Sequence, residues 1–428
     1  MALLAEKAYR DRFLTRDELA AVVSETLAQT PLAGKKVLAI IPDTTRTCPV
    51  GEMFRLFCDN LCERVRRLDF LIALGTHPPL SEAQIDKLLQ MSASDRRQKY
   101  PGVGVFNHEW NNPRQLRTIG VISADEIECI SECLMREEVM VQCNKMLFEY
   151  DHLLVMGPTF PHEVVGFSGG NKYFFPGVSG PEVLNFFHWL GAVITNPVIN
   201  GTKMTPVRRV VDRAAAMITL PKLCFSLVTA HEGVRGIFVG TPEAAYDRAA
   251  DLSAATQIVY KKRPFSRILS MAPRMYDDIW TAGKCMYKLE PVLADGGELI
   301  IYAPHITEVS YTHGRILDEI GYHVRDYFLK RMQQFAHYPR GVLAHSTHVK
   351  GIGTFVDGKE KPRAQVVLAT RIPKKRCDRI NLGYRDPATI CPEEWQGRED
   401  EGILCVPNAG EYLFRLADGT VPRIPPEA

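Results

Sequence analysis

The residues with the clearest chemical potential lie in the run from Pro161 to His188. The run contains two histidines, His162 and His188, one lysine, Lys172, and the tripeptide Ser168-Gly169-Gly170. Glycine permits positive φ angles and close approach of the backbone to a ligand. Histidine serves as a metal ligand or as a proton carrier near neutral pH. A lysine in such a loop is either a phosphate partner or, when desolvated, a nucleophile.

The common nucleotide-binding motifs do not fit this run. A Walker loop needs lysine followed by serine or threonine, and here Tyr173 follows Lys172 with the wrong glycine spacing. A Rossmann glycine pattern is also missing from the sequence. The chain is therefore not predicted to be a P-loop NTPase or a dinucleotide-dependent dehydrogenase, although consecutive glycine amides can still bind a mononucleotide phosphate.

Three polar groups follow predicted strands. Asp43-Thr44-Thr45-Arg46 follows strand 36–41, His77 follows strand 70–74, and His162 follows strand 152–156. Open α/β sheets bind ligands at the carboxyl ends of their strands. Arg46 suits a carboxylate or phosphate, and the two histidines suit an acid/base pair. The simpler interpretations are N-capping by the Asp43 segment and a surface turn at His77.

Three other sites carry weaker signals. His188 lies among aromatic residues on a predicted helix, where a core histidine is the ordinary interpretation, and no zinc motif supplies further ligands. Lys284 begins a predicted helix, a position that disfavours a cation and raises the prospect of a bound anion. The pair His345 and His348 is interpreted as solvated or capping.

Composition limits the class of protein. The 428 residues include 52 basic and 50 acidic side chains with 46% hydrophobic content, which is typical of a globular protein. The sequence has no stripe of basic residues of the kind that binds nucleic acid. It also has no apolar run long enough to span a membrane. The 11 cysteines are scattered without a C-x-x-C pair, which favours reduced thiols in the cytoplasm. Oligomeric state is not indicated.

Alternating strand and helix patterns predict an α/β fold with two α/β domains. The expected domains are residues 1–260 and 265–428, joined by a linker at 261–264, and the last strand either stays in the second domain or returns to the first. A helix is predicted over 51–67, and Ser81 with Gln84 has the form of a capping box. Further helices are predicted over 181–192 and near 283–293, and strands at 266–270, 298–302 and 365–369.

Taken together, these motifs resemble the nickel-pincer lactate racemase family. The matching pieces are, in chain order, Asp43-Thr44-Thr45-Arg46-Thr47-Cys48-Pro49, Gly75-Thr76-His77, Pro161-His162, Ser168-Gly169-Gly170-Asn171-Lys172, Pro176-Gly177 and His188, with Lys284 in the second half. The resemblance implies a two-domain enzyme with its site in the interdomain cleft. It also implies a nickel pyridinium-3,5-bisthiocarboxylic acid mononucleotide attached covalently at Lys172, with His188 as the protein ligand of nickel and cofactor-assembly enzymes as partners.

The same resemblance implies roles for the other residues. The cofactor would be held by Asp43, Thr44, Thr45, Arg46, Ser168, Gly169, Gly170 and Pro176. His77 and His162 would exchange protons on opposite faces of a 2-hydroxy acid, with Arg46 and Lys284 also catalytic. The substrate would be bound by Arg46, Trp280, Thr281 and Lys284.

One departure bears on the substrate. Lactate-type members carry Tyr-Gln where this chain has Trp280-Thr281. A shorter threonine leaves room for a longer molecule, so we expect a larger 2-hydroxy acid, such as a sugar acid of the gluconate type epimerised at C2. The alternatives are a lactate racemase proper, a non-catalytic protein that binds the nickel-pincer cofactor and a zinc hydrolase.

Overall fold

The computed structural model describes residues 2–424, which form two compact units. The first unit contains residues 2–160, 167–184 and 208–256, and the second contains 161–166, 185–207 and 257–424. Both units combine helices and strands, which confirms the predicted α/β class. The segments 161–166 and 185–207 belong to the second unit by compactness, whereas the sequence analysis placed them in the N-terminal domain.

The first unit is built on a seven-stranded sheet in the order β1-β11-β10-β7-β2-β3-β4. The five strands from β10 to β4 are parallel, and β11 and β1 add antiparallel strands at one edge. Strands β5 and β6 form a separate antiparallel pair. The strands up to residue 240 are β1 (Leu3–Ala8), β2 (Lys36–Pro42), β3 (Arg67–Ala73), β4 (Gly104–Asn107), β5 (Leu116–Ile122), β6 (Val139–Asn144), β7 (His152–Pro158), β8 (Pro161–His162), β9 (Gly166–Phe167), β10 (Lys222–Ala230) and β11 (Gly233–Gly240).

The helix over Val50–Leu61 packs against the sheet through its apolar face. On β2, alternate residues such as Val37 and Ile41 join a buried cluster with Phe54 and Phe57 of the following helix. The Ser81–Gln84 capping box is confirmed, since the side chains of these two residues accept hydrogen bonds from each other's backbone N–H groups. The helices up to residue 257 are α1 (Arg16–Gln29), α2 (Val50–Leu61), α3 (Glu82–Leu89), α4 (Ala93–Lys99), α5 (Ala124–Ile130), α6 (Pro181–Ile194), α7 (Asn196–Ile199), α8 (Pro206–Ala216) and α9 (Pro242–Gln257).

The predicted helix over 51–67 is too long. Helix α2 ends at Leu61, and β3 already begins at Arg67. The intervening backbone pairs with the segment before β2: Gly34 N–H donates to the Arg64 carbonyl, and Arg66 N–H donates to the Lys35 carbonyl. These bonds satisfy backbone groups that a continued helix would have used internally.

The second unit contains a parallel five-stranded sheet in the order β18-β17-β14-β13-β19. The predicted strands at 266–270, 298–302 and 365–369 are confirmed within it. Strand β20 pairs in parallel with β12 inside this unit, and not with the seven-stranded sheet. The strands are β12 (Ile258–Lys261), β13 (Phe265–Met271), β14 (Leu293–Ala303), β15 (Gly353–Val356), β16 (Lys359–Pro362), β17 (Gln365–Thr370), β18 (Gly383–Tyr384), β19 (Ile403–Val406) and β20 (Leu413–Leu416).

The helices of the second unit after residue 257 are short. The expected helix near 283–293 is interrupted, because α11 stops at Tyr287 and a 3₁₀ turn over Glu290–Val292 follows, with Pro291 unable to donate a helical hydrogen bond. Within residues 2–424, no helix has the length and apolar character to cross a bilayer. The helices are α10 (Ile279–Ala282), α11 (Lys284–Tyr287), α12 (Gly314–Ile320), α13 (Arg325–Leu329), α14 (Met332–Phe335), α15 (Arg340–Lys350) and α16 (Lys374–Arg379).

Candidate functional site

Asp43 and His77 meet at the carboxyl edge of the first unit's sheet. Strands β2 and β3 are parallel neighbours in a register that aligns Pro42 with Ala73, so the residues that follow them emerge side by side. The His77 Nδ1 atom is hydrogen-bonded to the Asp43 carboxylate. Asp43 also accepts from the Thr45 N–H at 3.1 Å and from the Thr45 hydroxyl at 2.7 Å. The buried carboxylate thus orients the imidazole and caps its own loop.

The charge state of Asp43 follows from its surroundings. The side chain is only 4% exposed, and burial by itself raises the pKa of the carboxyl. The charge and hydrogen bond of His77, together with Arg46 and Thr45, outweigh burial and lower that pKa below its ordinary value. Asp43 is therefore ionised near neutral pH.

The rest of the Asp43 loop is half-buried or exposed. Thr44 is exposed, whereas Arg46 is half-buried and lies with its guanidinium carbon 5.4 Å from the centre of the Phe160 ring. The Thr229 hydroxyl donates to the Thr47 carbonyl at 2.7 Å and ties the loop to β10. Arg46 is thus placed at the same sheet edge as His77, near enough to Asp43 to influence the pKa of its carboxyl.

The segment carrying Lys172 is fixed by close packing. Gly169 has φ +90°, and a Cβ there would lie 2.1 Å from Thr159 Oγ1. Gly170 has φ +58°, and a Cβ would lie 2.8 Å from the Cβ of Tyr246. Ser168 is tied to β7, because its hydroxyl donates to the Pro158 carbonyl at 2.9 Å. Packing and positive φ therefore explain both glycines, and phosphate binding by their amides stays a prediction.

Lys172 and Pro176 follow this turn in the same unit. Lys172 is half-buried in the 3₁₀ turn Gly170–Tyr173. Beyond Pro176, the Gly177 carbonyl accepts from Gly75 N–H at 3.0 Å, and Gly75 opens the turn that carries His77. The Lys172 segment and the His77 turn are thus bonded to each other within the first unit.

Two buried polar side chains, Arg208 and Asn171, hold the Lys172 segment in place, and the sequence analysis assigned neither of them a role. Arg208 on α8 is fully buried, donates to the Gly169 carbonyl at 3.2 Å and to the Phe167 carbonyl, and lies over the Tyr246 ring at 3.9 Å. Asn171 donates to Asp212 at 3.0 Å and to Glu243 at 2.7 Å. The helical spacing of Arg208 with buried Val211 and Ala215 is the sequence signal that marks it as buried.

In the second unit, His162 is 6% exposed and its ring is oriented by the backbone. Its Nδ1 accepts from the Val164 N–H at 3.1 Å. The Glu163 carboxylate lies 3.4 Å from the same nitrogen, and it is a partner of that nitrogen only when Nδ1 carries a proton. The backbone bond is the partner that suits the neutral ring.

Lys288 is a further residue that the sequence analysis missed. Its side chain is 1% exposed and donates to the carbonyl of Pro161, directly before His162, and to the Glu411 carbonyl at 3.4 Å. A buried ammonium is tolerated only when it is hydrogen-bonded. The signal for burial was its place in the apolar run 285–289.

Replacing Lys288 with methionine is expected to lower the free energy of unfolding by about 1–3 kcal/mol, because the buried Pro161 carbonyl and the partly buried Glu411 carbonyl lose a charged donor. Urea unfolding followed by circular dichroism measures the change. Lys359→Met, at an exposed position on β16, is the control and should leave the unfolding midpoint unchanged. Equal midpoints for Lys288→Met and the wild type would show that the ammonium does not hold the Pro161 segment.

His188 is half-buried on α6, beside Phe187 with ring centres 4.7 Å apart. Among residues 2–424, no group of three or more histidine, cysteine, aspartate or glutamate side chains is arranged to hold a metal ion.

Trp280 lies between two buried histidines of the second unit. Its ring centre is 4.5 Å from that of His313 and 4.1 Å from that of His345. The expectation that His345 and His348 are solvated or capping is wrong, because both face the core side of α15 at 8% and 4% exposure. Burial, with the neighbouring histidines, lowers the pKa of His345 well below its ordinary value, and burial lowers that of His348 to about 4. Both rings are neutral near neutral pH.

Thr281 and Lys284 complete the predicted residues of the second unit. The Thr281 hydroxyl donates to Asp278 at 3.1 Å, so its hydrogen atom is already used within the unit. Lys284 begins α11 as expected and lies with its ammonium nitrogen 4.8 Å from the centre of the Tyr276 ring.

The predicted site residues thus fall into two sets. The first unit brings together Asp43, Thr44, Thr45, Arg46, His77, Ser168, Gly169, Gly170, Lys172 and Pro176. The second unit holds His162, His188, Trp280, Thr281 and Lys284.

Two sequence comparisons relate part of this chain to lactate racemase. Residues 15–199 match a family profile described as the lactate racemase N-terminal domain. The lactate racemase of Thermoanaerobacterium thermosaccharolyticum is 24% identical over 276 residues, an alignment that covers 63% of this chain and 60% of that relative.

Solved structures extend the likeness across the chain. A protein from Thermotoga maritima is similar with a TM-score of 0.87 and 32% identity, covering 96% of this chain and 100% of that one. The lactate racemase apoprotein of T. thermosaccharolyticum shares the fold with a TM-score of 0.70 at 17% identity, covering 92% of each chain. Residues 15–199 thus belong to the lactate racemase N-terminal domain family, and the chain as a whole shares the fold of a lactate racemase.

Proposed function

We propose that this protein is an isomerase that inverts C2 of a 2-hydroxy acid larger than lactate, such as a sugar acid of the gluconate type. The observation that carries the proposal is the Asp43–His77 pair at the ends of β2 and β3. A carboxylate that orients an imidazole is the usual means of preparing a general base. The match of residues 15–199 to the lactate racemase N-terminal domain, with a lactate racemase as a sequence relative, supports the reaction class. We place the reaction in the cytoplasm, as the scattered, unpaired cysteines favour.

The donor set fits a nickel-pincer nucleotide. His188 is half-buried, and no cluster of protein ligands accompanies it in the described residues. A cofactor that brings its own sulfur and carbon donors needs one protein ligand and a point of attachment. His188 would serve as that ligand and Lys172 as the attachment, with the Asp43 loop, Ser168, Gly169, Gly170 and Pro176 around the nucleotide. Cofactor-assembly enzymes would supply it.

When bound, the cofactor would supply a reversible hydride acceptor for the α-hydrogen of the substrate. Side chains of the protein transfer the hydroxyl proton and bind the carboxylate of the substrate. His77 takes the hydroxyl proton at Nε2, because its Nδ1–H is held by Asp43. Arg46 and Lys284 bind the carboxylate, and His162 acts at the substrate oxygen. The guanidinium of Arg46 suits two hydrogen bonds to one carboxylate.

The proposal for a substrate larger than lactate is supported by Trp280 and Thr281. With its hydroxyl donated to Asp278, Thr281 offers a short side chain in place of the glutamine of lactate-type members. Trp280 is braced by His313 and His345, which gives a flat apolar surface for the carbon chain of the substrate.

The test is turnover of a panel of 2-hydroxy acids in heavy water by protein co-expressed with cofactor-assembly enzymes. We expect inversion of a sugar acid without deuterium at C2, because the α-hydrogen returns to the carbon it left. Deuterium at C2 would contradict hydride transfer and indicate proton abstraction. Rapid turnover of lactate alone would contradict the larger substrate and favour a lactate racemase.

Variants separate the enzyme from a non-catalytic cofactor-binding protein. His77→Gln should retain the cofactor, measured by intact mass, while losing inversion. Full cofactor loading without turnover of any acid in the wild type would favour the binding protein. Stoichiometric zinc with an unmodified Lys172 would favour a hydrolase.

A further inference from the structure

One buried carboxylate fixes the turn that carries Trp280 and Thr281 in the second unit. Asp278 is 6% exposed and lies directly before α10. Its Oδ1 atom accepts from the Thr281 N–H at 2.9 Å and from the Thr281 hydroxyl at 3.1 Å. Its Oδ2 atom accepts from the Tyr311 N–H at 3.2 Å. Both carboxylate oxygens therefore hold this turn in place.

The loop after β14 braces the same turn from another side. The Trp280 N–H donates to the Val309 carbonyl at 3.0 Å. The side chain of the neighbouring Glu308 pairs with Arg376 at 2.6 Å, and Arg376 also pairs with Asp318 at 2.9 Å. The positive charge of Arg376 is thus already balanced by two carboxylates of the protein.

The bond to Asp278 decides the hydrogen-bonding character of Thr281. A hydroxyl group has one hydrogen to donate and two lone pairs to accept with. Because the hydrogen of Thr281 points to Asp278, its oxygen offers only lone pairs to a bound molecule. It can accept from a hydroxyl group of a ligand, but it cannot donate to a carboxylate. A glutamine side chain, as in lactate-type members, has an amide that donates.

The surroundings of Trp280 add no charged donor from His345. The Trp280 ring lies 4.1 Å from that of His345, and burial, with the neighbouring histidines, lowers the pKa of His345 well below its ordinary value. This imidazole is therefore neutral near neutral pH. Lys284 is the cation that the proposed function assigns to the reacting carboxylate. A second carboxylate beside Trp280 and Thr281 would meet a neutral ring and lone pairs, which is a costly place for an anion.

We propose that Asp278 makes this subsite selective for 2-hydroxy acids whose carbon chain carries hydroxyl groups, and against acids that carry a second carboxylate. The inference rests on the proposed function and narrows its substrate class to polyhydroxy monocarboxylic acids. Asp278 is a positioning residue, because it acts through Thr281. The C–H groups of the chain pack on the Trp280 ring, while one chain hydroxyl donates to the Thr281 oxygen.

Binding of two matched pairs of acids tests the selectivity without any turnover. 2,4-Dihydroxybutyrate and malate share one chain length, gluconate and glucarate share another, and the members of each pair differ only in a terminal hydroxyl or carboxylate. Dissociation constants are measured by isothermal titration calorimetry at neutral pH and fixed ionic strength, with the full-length protein co-expressed with cofactor-assembly enzymes.

In both pairs we expect the hydroxyl-ended acid to bind at least about tenfold more tightly, because an anion without a partner costs more than one hydrogen bond. Equal or tighter binding of either dicarboxylic acid, or no binding of any of the four acids, would overturn the proposal. Failure of the proposed function would appear separately, as absence of inversion in heavy water.

Variants assign the selectivity to the Asp278–Thr281 bond. Thr281→Val keeps the shape of the side chain and should weaken gluconate binding roughly fivefold, the worth of one hydrogen bond, without improving that of glucarate. Thr281→Lys supplies the missing cation and should reverse the preference. Thr307→Val, at an exposed position of the same unit, is the matched control and should bind all four acids like the wild type.

Asp278→Asn separates positioning from a merely structural role. An amide nitrogen turned toward Thr281 donates to its oxygen and frees the hydroxyl hydrogen for a carboxylate of the ligand. The ratio of the gluconate and glucarate dissociation constants should therefore move toward one. A lower melting temperature with equal weakening of both acids, and an unchanged ratio, would show that Asp278 only stabilises the turn and would contradict the proposal.

Discussion

Lys172→Arg is expected to abolish covalent loading, so the intact mass after co-expression with cofactor-assembly enzymes should equal that of the bare chain. Arginine keeps the positive charge but lacks the amine that forms the proposed link. Lys172 is half-buried within the turn Gly170–Tyr173, whose first glycine is closely packed against Tyr246. Activity should fall by at least about 10⁴-fold, since the hydride acceptor is lost.

Lys145→Arg is the matched control, because Lys145 is exposed in the same unit and lies outside the predicted site. It should load and turn over like the wild type. A full adduct on the Lys172→Arg protein would place the attachment elsewhere and remove the central assumption of the proposed function.

Asp43→Asn is expected to lower kcat by about 10²–10⁴-fold, the range found when a general base loses its function. Asparagine still accepts from Thr45, but its amide donates to His77 Nδ1 and moves the ring proton to Nε2. The fold keeps its hydrogen bonds while the base loses its lone pair. Steady-state kinetics alongside thermal unfolding separate the two effects.

Asp69→Asn is the control for loss of a buried carboxylate. Asp69 is 2% exposed in β3, near the opposite end of the strand from His77, and accepts from Tyr150 and Gly104. It should lower stability while leaving kcat unchanged. If Asp43→Asn reduced the melting temperature as much as Asp69→Asn and kept its activity, Asp43 would be structural only.

Local rules predicted the parts of the site that depend on neighbouring strands. Because consecutive parallel strands end at one edge, Asp43 and His77 were expected together, and the β2–β3 register confirms their placement. The Ser81 capping box could also be predicted, because it joins residues only three positions apart. The local pattern also gave one wrong boundary, because it predicted that the helix continues to Arg67. In the structure the backbone groups of Arg64 and Arg66 form hydrogen bonds with residues 34 and 35.

The residues that sequence analysis missed act across long separations. Lys288 meets a carbonyl 127 positions earlier, and Asn171 meets Glu243 72 positions later. No periodicity within one helix reports such a partner. The sequence could have shown only that these charged residues are buried. The signals were the apolar neighbours of Lys288 and the helical spacing of Arg208 with buried residues. The burial of His345 and His348 on α15 was also missed. Their i, i+3 spacing places both on one face of the helix but does not indicate whether that face is buried or exposed.

The supports of the Lys172 segment come later in the chain than the lysine itself. Arg208, Glu243 and Tyr246, on α8 and α9, contact the glycines and Asn171 beside Lys172. During synthesis from the N-terminus, these helices emerge after Lys172 has already left the ribosome. The segment lacks these contacts until α9 is complete, so we expect an enzyme that recognises the folded turn to act only after that point. With the attachment proposed at Lys172, loading of the cofactor would therefore follow the folding of this unit.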